Sequence, residues 1–301
     1  MMPRILLAIH GGESARGAAR VAMLLATRLH AEVDAITVAE PAPILEYGYG
    51  PVIIPDADAD RAAQEAIRKR VREQLDQCGL EACDPRMFAG APASCIAAEA
   101  EARGDTLIVV GIGPHHLVDR ALGGETALRL VQVAAAPVLA VPGAATALPR
   151  RAVAAIDFSP TSLRAARTAA TLLVPGDTLH LVHVGAGRAE ALPASDGKDD
   201  HARRRLSALR DEIASGTGIE VTALIEHGSP ARALLDVVQR TGSDLIALGS
   251  HGYGPWERLV VGSVASKVLR LATCAVLVVP ATAVARTEAS AARGSASATG
   301  G

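Results

Sequence analysis

The feature that most constrains the fold of this chain is an internal repeat. Residues 107–142 align without gaps on residues 245–280, and the alignment places Gly111 on Gly249. A repeat of this size is typical of a duplicated structural unit, so it sets the architecture before any single motif is considered. The 301 residues leave room for two domains of about 140 residues, each large enough to bury its own core.

The starts of the two copies correspond as well. Residues 4–10 match residues 151–157, and in each copy an apolar run ends at a polar residue, His10 or Asp157. The segment between the copies is short and rich in small residues, and the chain after the second copy is rich in Ala, Ser and Gly, as linkers and disordered tails are. The predicted organisation is a first domain at 1–143, a linker at 144–150, a second domain at 151–281 and a disordered tail at 282–301.

Short apolar runs alternate with amphipathic stretches in each copy, which predicts βαβ units and therefore parallel sheets. The predicted fold class is α/β, with two tandem doubly wound domains, each a five-stranded parallel sheet with helices on both faces. The predicted strands are 5–9, 32–38, 83–88, 107–110 and 137–141 in the first copy, and 152–156, 179–184, 220–225, 245–248 and 275–279 in the second. The predicted helices of the second copy are 161–173, 200–214, 231–240 and 263–271.

Composition excludes several classes of partner. Half the residues are apolar but only 2% are aromatic, so the cores consist of Ala, Val, Leu and Ile, which suits parallel sheets covered by helices. A net charge of −2 with mixed signs gives no basic field for nucleic acid or an anionic membrane, so neither is an expected partner. The four cysteines form no CxxC pair, and no apolar run is long enough for a signal peptide or a membrane span. A soluble, cytoplasmic protein is expected.

Glycines in the second copy have the spacing Gly-x2-Gly-x9-Gly-Ser, formed by Gly249, Gly252, Gly262 and Ser263. The motif follows a predicted strand and precedes a predicted helix. Glycines let backbone N–H groups approach an anion, and a helix N-terminus offers unpaired donors and a favourable dipole, so a polyphosphate could bind here. Ser263 is expected to cap the helix and to reach a phosphate oxygen or a metal ion. The alternative is that Gly249 and Gly252 only make a turn, that Gly262 permits close packing and that Ser263 is an ordinary N-cap.

Asp157 follows the first strand of the second copy, at the carboxyl edge of the predicted sheet, and Gly249 follows the fourth strand at the same edge. Ligands of open α/β sheets bind outside the carboxyl ends of strands at a topological switch point, so these segments should face one cleft. An aspartate in the segment Asp157-Phe-Ser-Pro-Thr161 is otherwise a common turn or cap residue. Its pairing with the glycine motif favours a ligand role.

The sequence resembles the universal stress protein family, whose ATP-binding members carry Gly-x2-Gly-x9-Gly-(Ser/Thr) after the fourth strand and an Asp ending the first. The segments Ala154–Ser162, Glu226–Pro230 and Gly249–Gly254 carry the resemblance. It implies an adenine nucleotide alpha hydrolase-like fold and ATP with Mg²⁺ in the second domain only. The implied nucleotide-binding residues are Asp157, Phe158, Ser159, Val184, Gly249, His251, Gly252, Gly262, Ser263 and Val264.

Within that set, the resemblance implies that Asp157 lies beside the base and ribose and that Val184 lies against adenine. The glycines, Ser263 and Val264 would surround the phosphates. Neither a Gly-x4-Gly-Lys-(Ser/Thr) loop nor a complete dinucleotide fingerprint is present, so a motor ATPase or a dehydrogenase is not expected. No catalytic residue and no metal-ligating set is predicted.

The first copy has different residues at the aligned positions of the motif. His10 stands in place of Asp157, Pro114 in place of Gly252, and Glu125 in place of Ser263. Proline removes a backbone donor, and a carboxylate at a helix N-terminus occupies the place where phosphate charge is expected. The first domain is therefore not expected to bind ATP. An alternative is that Glu125 with the adjacent His115 and His116 forms a metal or small-ligand site.

The leading functional hypothesis is a regulatory module that binds ATP in its second domain and presents its state to an unknown protein partner. One alternative is an adaptor that binds no nucleotide. Another is a slow ATPase that uses Mg²⁺ and phosphorylates itself, with Ser263 as a candidate target. The last strand of each copy is apolar and needs a covering partner. In the family the corresponding strands pair between subunits, which implies an intramolecular pseudo-dimer here and possible further homodimers.

Overall fold

The computed structural model of the protein describes residues 3–39, 57–104, 107–113, 124–185, 197–250 and 261–283. Strands and helices alternate along both halves of the chain. The first domain consists of β1 (Arg4–Ala8), α1 (Glu13–Leu29), β2 (Glu32–Ala39), α2 (Ala57–Gln77), β3 (Arg86–Ala89), α3 (Pro92–Arg103), β4 (Leu107–Ile112), α4 (Gly124–Val133) and β5 (Val138–Pro142). The second consists of β6 (Arg151–Ala155), α5 (Pro160–Thr171), β7 (Thr178–Gly185), α6 (Gly197–Thr217), β8 (Glu220–His227), α7 (Pro230–Thr241), β9 (Leu245–Gly249), α8 (Ser263–Leu271) and β10 (Ala275–Val279).

The ten strands form a single sheet in the order β3-β2-β1-β4-β5-β10-β9-β6-β7-β8. Within each half all neighbouring strands are parallel, and each half has the same order, with its first strand between the second and the fourth. The halves meet where β5 pairs with β10 in the antiparallel sense, with Leu139 opposite Leu277. The prediction of an α/β fold with doubly wound five-stranded units is confirmed. The expected pairing of the two last strands within one chain is confirmed as well.

Helices cover both faces of the sheet because successive strand residues point in opposite directions. In β1, Ile5 and Leu7 lie in the core beneath α1 and α2, whereas Leu6 and Ala8 lie in the core beneath α3 and α4. The second domain repeats this arrangement, with α5 and α6 on one face and α7 and α8 on the other. Alanines line the buried faces of the central helices and allow them to approach the strands closely: Ala15, Ala18, Ala19 and Ala22 of α1, and Ala165, Ala166, Ala169 and Ala170 of α5.

Some predicted boundaries differ from the structure. Strand β3 begins at Arg86 rather than at Cys83, because the Cys83 N–H donates to the Leu80 carbonyl in a turn (3.0 Å). Strand β8 extends beyond Ile225 to His227.

Two residues of the predicted tail, Thr282 and Ala283, are among the described residues. Residues 281–283 form a short helical turn. Ala283 is buried in the core, and the Thr282 hydroxyl donates to the Ala134 carbonyl. These contacts order Thr282 and Ala283. Among the described residues, no helix is both long enough and apolar enough to cross a membrane.

Candidate functional site

A cavity of about 310 Å³ opens at the carboxyl edge of the second half-sheet. It lies where β6 and β9 part, because the chain leaves β6 toward β7 on one side while β9 lies on the other. This is the topological switch point at which open α/β sheets bind ligands. The residues that line the cavity are Ala155, Ile156, Asp157, Ser162, Val182, Val184, Pro230, Leu234, Leu248, Gly249, Ser250, Gly262, Ser263, Val264 and Ala265.

Asp157 is exposed at the mouth of the cavity, two residues after β6 ends. Its Oδ1 accepts hydrogen bonds from the Ser159 N–H (2.9 Å) and the Ser159 hydroxyl (2.6 Å). The Ser159 hydroxyl also accepts from the Ser162 N–H (3.2 Å) and so caps α5. Asp157 is therefore both a turn residue and a cavity residue, because the turn holds its carboxylate at the edge of the sheet.

Phe158 and Ser159 lie behind the wall of the cavity. Phe158 is buried and has a φ of 65°, in the left-handed region that non-glycine residues seldom adopt. Its ring centroid lies 5.0 Å from that of His183, and the Arg205 guanidinium lies over it at 4.1 Å. The His183 Nδ1–H donates to the Ile156 carbonyl (2.7 Å), the residue before Asp157. These contacts hold the turn that presents Asp157, and neither Phe158 nor Ser159 is among the described lining residues.

The inner wall of the cavity is apolar. Val182 and Val184 point to the same face because they are two residues apart on β7. Leu248 of β9 and Leu234 of α7 lie on the wall with them. The sequence predicted Val184 but missed Leu234. The signal for it was present, since Pro230 begins α7 within a segment that carries the family resemblance, and Leu234 follows one turn later.

Gly249 is required by packing. A Cβ at Gly249 would lie 2.7 Å from the Thr161 Cβ and 3.0 Å from the Ser162 nitrogen, at the start of α5. Gly111 has the same environment in the first domain, where a Cβ would lie 2.8 Å from the Ala15 Cα at the start of α1. In both domains the first helix passes so close to the fourth strand that only glycine fits. Close packing therefore requires glycine at position 249, a role that the sequence analysis did not predict, and Gly249 also lines the cavity.

The far end of the cavity is formed by the N-terminus of α8. Gly262 is the N-cap residue, with φ −55° and ψ 151°, and no side chain makes the cap. The expectation that Ser263 caps this helix is wrong, because Ser263 is already the first helical residue. Ser263 and Val264 line the cavity there, next to the N–H groups of the first helical turn, which have no carbonyl partner within the helix. His251 and Gly252 lie outside the described residues.

The corresponding edge of the first domain has different chemistry. The His10 ring lies over Gly12, and its Nε2 is 3.3 Å from the Ser14 hydroxyl. Glu125 is exposed in the first turn of α4 and forms an ion pair with Arg129 (2.9 Å). Pro114, His115 and His116 lie outside the described residues. Within the described part of the chain, no three His, Cys, Asp or Glu side chains are grouped to hold a metal ion.

Comparison with known proteins identifies the family. The sequence pattern of the universal stress protein family matches residues 1–142 and, a second time, residues 149–280. The chain belongs to the universal stress protein family. This assignment agrees with the alternation of strands and helices and with the duplicated sheet.

Relatives of this universal stress protein match it over short stretches. Universal stress protein YxiE of Bacillus subtilis is 35% identical over 68 residues, which are 23% of this chain and 46% of that protein. Universal stress protein MJ0531 of Methanocaldococcus jannaschii is 34% identical over 68 residues, covering 23% of this chain and 40% of that protein. The chain thus matches these two curated relatives over less than half of their length.

Solved structures resemble the universal stress protein over almost all of its length. A universal stress protein from Archaeoglobus fulgidus superposes with a TM-score of 0.68 at 21% identity, covering 92% of this chain and 98% of that one. A functionally unknown protein from Pseudomonas aeruginosa superposes with a TM-score of 0.60 at 17% identity, covering 97% and 98%. At these identities the likeness concerns the fold.

Proposed function

We propose that this universal stress protein binds ATP with Mg²⁺ in the cavity of its second domain and acts as a nucleotide-responsive regulatory module. The observation that carries the proposal is the convergence of Asp157, Val184 and the start of α8 on one cavity at the switch point of the second half-sheet. Asp157 follows the end of β6 and Val184 lies near the end of β7, whereas α8 begins about 80 residues after Val184. The cavity volume is within the range of about 300–1,000 Å³ that is usual for small-ligand sites.

The lining suits the parts of an adenine nucleotide. The valines of β7 with Leu234 and Leu248 offer an apolar slot for a base. The exposed carboxylate of Asp157 is an acceptor for ribose hydroxyls, and the N-terminus of α8 favours anionic phosphates. Mg²⁺ is usually held by phosphate oxygens and water with few protein ligands, and the Ser263 hydroxyl is the candidate protein ligand here.

The first domain is proposed to serve as a structural partner without ATP. Glu125 occupies the first turn of α4, where its carboxylate repels phosphate charge. His10 replaces the carboxylate that would accept ribose hydroxyls. The full proposal also includes a regulatory protein partner, homodimers and a cytoplasmic location. The last is supported by the four cysteines, which are all free thiols.

Slow ATP hydrolysis or self-phosphorylation is a second candidate function. It is favoured by the Ser263 hydroxyl, which lies at the end of the cavity proposed for phosphates. Rapid turnover has little support, because Asp157 is the sole titratable side chain among the described lining residues. We therefore expect bound ATP to be hydrolysed only slowly.

Calorimetric titration with Mg-ATP tests the proposal. We expect one site per chain in the wild type, and loss of that site in Asp157→His and in Ser263→Glu, which copy the first-domain residues into the second. Glu125→Gln is the matched control in the first domain and should leave the affinity unchanged. Absence of heat in the wild type, together with no displacement of a fluorescent ATP analogue, would overturn ATP binding and favour an adaptor.

The same samples separate binding from turnover. ADP that accumulates over many equivalents would assign hydrolysis. A single equivalent of phosphate that stays on the wild-type chain but not on Ser263→Ala would assign self-phosphorylation. Intact ATP after prolonged incubation supports the regulatory module.

A further inference from the structure

Ser250 connects several parts of the second domain at the proposed phosphate end of the cavity. It follows Gly249, is buried, and lines the cavity. Its N–H donates to the Val279 carbonyl (2.9 Å), and its own carbonyl accepts from the Gly262 N–H (2.8 Å). Its hydroxyl accepts from the Ala281 N–H (3.1 Å). Ser250 thereby joins Gly262, the N-cap residue of α8, to the turn that follows β10.

That turn is attached to the first domain. The Thr282 hydroxyl donates to the carbonyl of Ala134, the residue that follows α4. Carbonyl groups at the end of a helix lack partners within the helix, so this hydroxyl satisfies one of them. Ala134 and Ala283 are both buried, whereas Thr282 itself is exposed. Two hydroxyl groups thus complete a path from α4 to the start of α8.

The first domain does not have either hydroxyl at the aligned positions. Ile112 stands in place of Ser250, and Ala144 stands in place of Thr282. In the first domain the Gly143 N–H donates directly to the Ile112 carbonyl (3.3 Å). In the second domain the corresponding N–H is that of Ala281, and the hydroxyl of Ser250 accepts it. The Ser250 carbonyl is therefore available to accept the Gly262 N–H. The serine therefore adds an attachment that the aligned isoleucine side chain cannot supply.

We infer that Ser250 and Thr282 are positioning residues of the nucleotide site, and that through them the first domain anchors the phosphate end of the second-domain cavity. This inference rests on the proposed function. The donors proposed for phosphate are the N–H groups at the start of α8, and their direction depends on Gly262. Binding that relies on donors fixed in advance loses affinity when their support is removed. The first domain, although not expected to bind ATP, then contributes to ATP binding in its neighbour.

Titrations of Mg-ATP and of adenosine into variants of the full chain test the inference. A protein hydrogen bond contributes a modest net free energy, so Ser250→Ala should weaken Mg-ATP binding about three- to tenfold. Thr282→Val should weaken it about two- to threefold, because it acts one step further away, and Thr282→Ser should restore wild-type affinity. Adenosine affinity should be unchanged in all of them, since adenosine lacks the phosphates that α8 receives.

Two results would overturn the inference. One is an equal loss of affinity for Mg-ATP and adenosine, which would mean that the variants disturb the whole domain. The other is wild-type Mg-ATP affinity in both Ser250→Ala and Thr282→Val.

Hydrogen exchange of the nucleotide-free protein separates failure of the inference from failure of the proposed function. In Ser250→Ala the amides of Ala281 and Gly262 should exchange faster than in the wild type, while the amide of Gly143 in the first domain should not change. If the wild type binds no Mg-ATP, the proposed function fails. If the amides of Ala281 and Gly262 also exchange at the same rate in Ser250→Ala as in the wild type, the proposed connection through Ser250 fails as well.

Discussion

The turns after β1 and β6 are built on the same backbone with different residues. Gly11 in the first domain has a φ of 75°, and Phe158 at the aligned position in the second has a φ of 65°. Glycine adopts this conformation freely, whereas phenylalanine is strained by about 1–2 kcal/mol. In the first domain α2 lies against the glycine, since a Cβ there would be 3.1 Å from the Arg70 Cβ. In the second domain the space is filled by the ring beneath Arg205.

Residues kept in both domains can be separated from those that differ. Gly111 and Gly249 are kept because a helix passes over each of them, so their retention reports the fold. The first domain has His10 and Glu125 where the second has Asp157 and Ser263. The backbone that the two domains share does not require this difference. We therefore base the proposed ligand site on the residues that differ rather than on the shared glycine.

Substitution of Phe158 should have the largest effect on stability. Phe158→Ala removes a buried ring and keeps the left-handed backbone, so we expect a loss of about 4 kcal/mol in the free energy of unfolding. Phe158→Gly should be less harmful than alanine by about 1 kcal/mol, because glycine relieves the strain. Urea unfolding followed by circular dichroism measures both. A glycine variant less stable than the alanine variant would show that the backbone conformation contributes little.

Adding a methyl group to the shared glycine should destabilise both domains. Gly111→Ala brings the Cβ against backbone atoms of α1, so we expect a loss of about 3 kcal/mol. Gly249→Ala meets the Thr161 side chain as well as backbone and should cost about 2 kcal/mol. Gly216→Ala is the control, because its Cβ would meet no atom within 4 Å in α6. If Gly111→Ala unfolds at the same urea concentration as this control, the packing explanation is wrong.

Ligand binding should stabilise the second domain selectively. At a concentration of Mg-ATP one hundred times the dissociation constant, one site stabilises the folded state by about 2.7 kcal/mol. The shift in thermal unfolding should vanish in Ser263→Glu and persist in Glu125→Gln. Removal of Mg²⁺ with a chelator should reduce the shift. An equal shift in Ser263→Glu would mean that ATP binds elsewhere.

The smallest expected effect concerns His180, which occupies the place in β7 that Asp34 occupies in β2. Burial lowers the pKa of His180 below its usual value, and its Nδ1 is hydrogen bonded to Thr222 (2.8 Å). The unfolded chain binds a proton below its own pKa near 6.5, while the folded chain resists it. Stability from this group is therefore complete above that pH and is lost as the pH falls.

Measurement of unfolding free energy from pH 7.5 to pH 5.5 tests this. His180→Gln should show a shallower loss of stability than the wild type, and the exposed His201→Gln should follow the wild type. An identical slope in His180→Gln would assign the acid sensitivity to other groups.

The repeat and the alternating patterns were sufficient to predict the sheet units, because local periodicity depends on neighbouring residues in sequence. The pairing of β5 with β10 was predicted from the apolar edge strands together with the family resemblance. The bounds of α8 were predicted correctly, but the capping role of Ser263 was mispredicted because one residue decides between the cap and the first turn, and Gly262 is the N-cap residue. Ser250 was not found at all. Its partner Ala281 is distant in sequence, and a serine within a glycine-rich segment gives no local sign of such a contact.

The pairing of β5 with β10 also has a genetic consequence. In a dimer of identical chains, every substitution occurs on both sides of the symmetry axis, so a change that helps one subunit is imposed on the other. Fusion of the two halves into one chain removes that obligation, because each half is encoded separately. One half can therefore carry Ile112 where the other carries Ser250, or His10 where the other carries Asp157. The two halves of one sheet can then differ in their side chains while they keep the same backbone arrangement.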